Sequence, residues 1–139
     1  MIALDTNILV RVLTRDDPAQ ADLAAGVMRS DALFVCASVL LELEWVLRFA
    51  YRFERAEIHG ALVRLLGLPT LHVEARDSVM EAIVAYEAGM DFADALHLFS
   101  CAPGVTEFAT FDRELAKRAG RIEGAPRVRL VEGDSTMGR

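Results

Sequence analysis

The sequence predicts an α/β fold built on a mostly parallel sheet of four to five strands. Short apolar runs of strand length recur along the chain, and one or two stretches of helical periodicity separate each run from the next. That alternation is the signature of parallel strands joined by helical crossovers. At 139 residues the chain has room for one domain and one core, expected over residues 1–131.

Ile2-Ala3-Leu4 is the first strand, stopped by Asp5, and Asn7 to Leu13 follows at helical density. Asp16-Asp17-Pro18 starts a second helix over about 19–29, with proline in the first turn. Leu33 to Cys36 is the second strand, and Ser38 is the expected N-cap of an apolar helix running to about Tyr51. Glu54 to Leu66 forms the next helix, closed by Gly67 and Pro69. Leu71-His72-Val73 is the third strand, and an amphipathic helix from Arg76 to Glu87 ends at Gly89. Asp91 caps a helix reaching Cys101, and Glu107 to Phe111 is the fourth strand. Arg113 to Ala119 is a short helix, Val128 to Val131 an edge strand, and 132–139 a flexible polar tail.

Composition narrows the class. Hydrophobic residues make up 53% of the chain and mean hydropathy is +0.28, which excludes intrinsic disorder. No run approaches the roughly 18 apolar residues of a bilayer span. The Met1 to Asp5 start has no basic segment and does not read as a signal peptide, so a cytoplasmic location is expected. Cys36 and Cys101 lack metal-ligand spacing and read as two small buried thiols. The net charge of −6 argues against a protein that lives by non-specific attraction to phosphates. Lys117 is the only lysine, so a mechanism needing one has a single candidate.

The acids fall in special places. Asp5 and Asp112 stand at the carboxyl ends of strands, where open α/β sheets place their ligands, although each could simply cap the following helix. Glu42 and Glu44, two residues apart on one helix, face nearly opposite sides. Glu44 has Arg48 four residues on and is expected at the solvent face. Glu42, near Trp45 and Phe49, must then open into a crevice or bear a desolvation cost. Asp91 has capping-box spacing to Asp94 and reads as structural. Asp94 is expected to point inward along the side of His97 and Leu98, and His97 itself reads as a buried hydrogen-bonding residue.

If Asp5, Glu42, Asp94 and Asp112 converge, two such charges at 4 Å repel by about 4 kcal/mol at an effective dielectric of 20, and a cation is required. An all-oxygen set suits Mg²⁺, with Mn²⁺ as the alternative, and metal-activated water attacking a phosphodiester is the chemistry that follows. Those four acids account for much of the acidity, which weakens the objection to a nucleic-acid substrate.

Leu4-Asp5-Thr6-Asn7, Val39-Leu40-Leu41-Glu42-Leu43, Asp91-Phe92-Ala93-Asp94-Ala95 and Thr110-Phe111-Asp112, in that order and at these intervals, resemble the PIN-domain ribonucleases, and among them the VapC toxins of toxin–antitoxin pairs. The resemblance covers nearly the whole chain. It implies a three-layer α/β/α fold and a catalytic quartet of Asp5, Glu42, Asp94 and Asp112. Asp5, Asp94 and Asp112 would bind metal, Thr110 would supply a polar group near it, and Asn7 would orient Asp5. It also implies Mg²⁺-dependent RNA cleavage, a homodimer and a VapB-type antitoxin partner. A haloacid-dehalogenase-like phosphatase is a rival, but it needs a second Asp where Asn7 stands. A receiver-type binding module would need paired N-terminal acids and a late-strand lysine, and the sequence has neither.

Overall fold

The computed structural model describes residues 1–133 and contains twelve elements. In order they are β1 (Ile2–Ala3), α1 (Thr6–Thr14), α2 (Pro18–Met28), β2 (Leu33–Val35), α3 (Ala37–Phe49), α4 (Arg55–Leu66), β3 (Leu71–Val73), α5 (Arg76–Glu87), α6 (Phe92–Phe99), β4 (Phe108–Thr110), α7 (Arg113–Ala119) and β5 (Val128–Leu130). The expected tail, 132–139, lies outside the described residues apart from Glu132 and Gly133. No described helix is long and apolar enough to cross a membrane.

All strand pairs are parallel, as the intervening helices require. The five strands make two hydrogen-bonded sets, β1-β2-β3 and β4-β5. Leu33 of β2 sits opposite Ile2 on one side and Leu71 on the other, while Phe108 pairs with Val128. Leu33 and Val35 are fully buried. Around them one contiguous core collects Leu9 from α1, Leu43 from α3, Leu62 from α4, Ile83 from α5, Phe92 from α6 and Leu115 from α7. Helix α2 joins through Ala21 and Ala24, small buried residues that let it approach α1 closely.

Two helix starts show how charge fixes the frame. Cys36, not Ser38, occupies the N-cap of α3 and makes no side-chain cap. The Ala37 N–H donates instead to Glu74 Oε1 at 3.1 Å, because β3 delivers Glu74 beside the end of β2. A carboxylate at that helix end also suits the macrodipole. At α2, Asp17 caps through the Gln20 N–H at 3.1 Å and Pro18 takes the first helical position.

Neighbouring Asp16 has a separate task. Its Oδ1 accepts from Arg11 at 2.9 Å and from the Thr14 hydroxyl at 2.9 Å, and its Oδ2 accepts from the Tyr51 hydroxyl at 2.6 Å. This knot ties the α1–α2 turn to the end of α3. The Tyr51 and Thr14 hydrogen bonds, with the Arg11 charge, hold the Asp16 carboxyl below its usual range. A depressed acid stabilises the fold above its unfolded value, and that stability is lost as pH falls through the folded value. Asp16→Asn should therefore lower the melting temperature at pH 7, and the gap to the parent should close on acidification below the ordinary carboxylate range. Thermal melts across pH check this, and a gap that does not change with pH would contradict it.

Candidate active site

The fold delivers the candidate acids to helix starts and to one helix face. Asp5 leaves β1 and caps α1, its Oδ1 accepting from the Thr6 N–H at 2.7 Å. Asp112 leaves β4 and caps α7, accepting from the Leu115 N–H at 3.1 Å, and its own N–H donates to Thr110 Oγ1 at 3.0 Å. Thr110 thus braces Asp112. Asp91 caps α6 through the Asp94 N–H at 3.1 Å, as expected. Both Asp5 and Asp112 remain exposed, so capping engages one oxygen and leaves the carboxylate open to solvent.

Asp5 and Glu42 line one cavity of about 340 Å³ together with Thr6, Asn7, Arg11 and Tyr51. Asn7 shares this cavity without a hydrogen bond to Asp5. Asp94 shares no cavity with Asp5 and Glu42 and instead feels the charges of Asp91 and Asp112. Burial, then the charges of Asp91 and Asp112, push the Asp94 carboxyl above its usual range, with His97 opposing. Glu42 also lines a groove with Ala93, the residue before Asp94. Among the described residues no three of His, Cys, Asp and Glu form one tight metal-holding cluster. This donor set still fits Mg²⁺, which commonly takes one or two carboxylates and fills its shell with water and substrate phosphate.

The two glutamates of α3 do lie on opposite faces, and Glu42 opens into a cavity as expected, but Glu44 is not at the solvent face. Glu44 is the buried one, 1% exposed, in the stripe Leu40, Leu43, Glu44, Leu47, and Glu42 is exposed. Trp45 and Phe49 are about half exposed on the side of Glu42 and do not bury it. The Glu44–Arg48 pair forms as expected, with Arg48 Nε 2.8 Å from Oε2 and Nη2 3.1 Å from Oε1. The Tyr86 hydroxyl of α5 donates to Oε2 at 3.1 Å. Burial, and then the Glu44 charge, raise the Tyr86 hydroxyl above its ordinary value, so it remains a neutral donor. Arg48 Nη2 also lies 3.8 Å from Asp91 Oδ1. A second expectation is corrected at His97, which is exposed, while Leu98 takes the buried side of α6.

The PIN domain family model matches residues 2–121. The chain belongs to the PIN domain family. Among curated proteins it is similar to a VapC ribonuclease of Aquifex aeolicus (strain VF5), with 26% identity over 123 residues that cover 84% of this chain and 91% of that protein.

In this PIN domain, the burial of Glu44 and its bond from Tyr86 are what sequence reading missed. The available signal was the spacing of Leu40, Leu43 and Leu47, which places Glu44 inside the apolar stripe. Removing one partner of a buried ion pair costs about 3–5 kcal/mol. Arg48→Ala, which leaves the buried Glu44 without its cation, should therefore lower stability by that order, and Tyr86→Phe should cost about 1 kcal/mol. Denaturant melts measure both, and an Arg48→Ala protein as stable as the parent would refute the pair.

Proposed function

We propose that this PIN domain is a Mg²⁺-dependent endoribonuclease, with Mn²⁺ able to replace Mg²⁺, and the toxin of a VapBC-type toxin–antitoxin pair. The observation that carries the reading is that Asp5 and Glu42 line one cavity, and Glu42 also shares a groove with Ala93, next to Asp94. The similarity to a VapC ribonuclease supports the same substrate class.

Asp5, Asp94 and Asp112 would hold the divalent ion. When bound, it supplies Lewis-acid polarisation of the phosphodiester and a more acidic water. Glu42, exposed at the cavity wall, is placed to accept the proton of the attacking water. The helix N-termini behind Asp5 and Asp112 favour anionic carboxylates there and keep their orientation fixed. Thr110 keeps Asp112 in place through its backbone, and Asn7 stands at the cavity wall where it can meet substrate.

A second cavity, about 470 Å³, lies between α1 and α2 and is lined by Ile8, Leu23, Ala24 and Val27. It shares Asn7 and Arg11 with the acidic cavity. An amphipathic antitoxin segment laid in this apolar groove would reach the acids, and an antitoxin arginine there would compete with the metal. Half-exposed Trp45, Phe49 and Val84 leave apolar area for the homodimer that this reading includes. A cytoplasmic location goes with it.

RNA cleavage should require added Mg²⁺ or Mn²⁺ and stop on chelation. Asp5→Asn should abolish it while leaving the fold intact, since the amide oxygen can still accept from the Thr6 N–H. Glu42→Gln should reduce it by about 100-fold or more. Gel assays on single-stranded RNA, with thermal melts of each variant, check these outcomes. Hydrolysis of a small phosphomonoester without RNA cleavage would instead favour the phosphatase reading.

A further inference from the structure

Charge is distributed very unevenly along the chain. Up to Asp112 there are eight arginines and seventeen acids. Residues 113–129 then carry six bases, Arg113, Lys117, Arg118, Arg121, Arg127 and Arg129, against only Glu114 and Glu123. Arg113 pairs with Glu132 at 2.6 Å and Arg129 with Glu107 at 3.2 Å. Among the described residues, Lys117, Arg118, Arg121 and Arg127 have no carboxylate at ion-pair distance.

The structure holds part of this set against the backbone that leads into the acidic site. Arg118 and Arg121 line one small recess of about 100 Å³ with Ala85, Ala88 and Met90, at the α5–α6 junction just before Asp91. Gly89 has φ +113°, and a Cβ there would lie 2.6 Å from Arg118 Nη1. The missing side chain therefore lets the guanidinium lie directly on the loop. At its other end the same helix, α7, begins at the cap Asp112. Arg118 and Arg121 are thus joined to the candidate acids from two directions, through Asp112 along α7 and through the loop before Asp91.

We infer that Lys117, Arg118, Arg121 and Arg127 form a binding site for the phosphodiester backbone of single-stranded RNA, outside the acidic cavity. The inference rests on the nuclease reading and adds how the substrate is held. A polyanion meets repulsion over the first 112 residues, so its attraction must come from elsewhere, and this is the one stretch of the chain with a strong positive excess. Arginine forks match phosphate oxygens, and contacts of this kind position a strand without reading its bases.

The test uses the full chain carrying Asp5→Asn, so that RNA is bound and not cut. Binding of a labelled oligouridylate is measured by fluorescence anisotropy in metal-free buffer over a range of salt. Each lost phosphate contact on a single strand flattens the slope of log K against log salt by about 0.7, so adding Arg118→Gln with Arg121→Gln should flatten it by about 1.4 and weaken binding about tenfold or more at low salt. Exposed Lys117→Gln with Arg127→Gln should act in the same direction, which keeps the test valid if loss of the Arg118 packing disturbs the fold. Arg29→Gln with Arg64→Gln makes the same change of net charge on α4 and beside α2, and should leave the slope unchanged. Equal slopes in all three double variants overturn the patch, and if the parent still cuts RNA the nuclease reading survives. A parent that neither binds nor cuts RNA removes both. Patch variants that lose binding to polyglutamate but not to RNA would assign the surface to an acidic protein and overturn the inference.

Discussion

The buried carboxylate of Glu44 is the constraint on which the arrangement of the site depends. An ionised group at 1% exposure is tolerated only with its lone pairs engaged, and here Arg48 and Tyr86 engage them. Tyr86 belongs to α5 and Arg48 to α3, so satisfying one charge fixes the spacing of two helices. Arg48 then extends to Asp91, the cap of α6. Glu42 rides on α3 and Asp94 on the first turn of α6, so their separation is set by a polar linkage that neither residue joins. Arg48 also stacks over Phe49 at 4.4 Å, which holds the guanidinium in the plane this linkage needs.

The candidate acids resolve what looked like a choice between capping and function. Asp5, Asp91 and Asp112 all accept a backbone N–H at a helix start. Capping uses one oxygen and directs the other, and the partial positive charge of the helix end stabilises an anion before any cation arrives. Asp94 lacks that support: it is partly buried and feels both Asp91 and Asp112. The acids therefore differ, Asp5 and Glu42 open to solvent in a cavity wall and Asp94 partly buried among like charges.

How much of this was legible follows from the range of the interactions. The bounds of α5 and α7 match the sequence reading because their stops and caps, Gly89 and Asp112, lie within the elements' own neighbourhoods. The parallel pairing was legible from the helices between strands. The cap of α3 was not, since it comes from Glu74 on the far side of β3. Glu44 was half legible. Its pair with Arg48 is a four-residue pattern, whereas its burial depends on a tyrosine 42 positions away. Trp45 and Phe49 misled for the complementary reason: aromatic character suggested burial, yet they occupy the exposed face with Glu42.

The separation of charge explains how an acidic chain can act on a polyanion. Acids that hold a metal must lie close to a scissile phosphate, and their repulsion falls away once a divalent ion is shared between them. Carboxylates elsewhere on the first 112 residues have no such partner in the substrate. Most of those with assigned contacts are tied into the fold itself: Asp16 in its knot, Asp17 and Glu74 at helix starts, Glu44 in the core. Arg11, Arg48 and Arg55 are likewise committed to neighbours, while Lys117, Arg121 and Arg127 face solvent or small recesses and Arg118 lies against the α5–α6 loop. The arginines that hold the fold are thus different from those the proposed patch would use, so under that proposal the bases beyond Asp112 can change without disturbing the linkage that spaces Glu42 from Asp94.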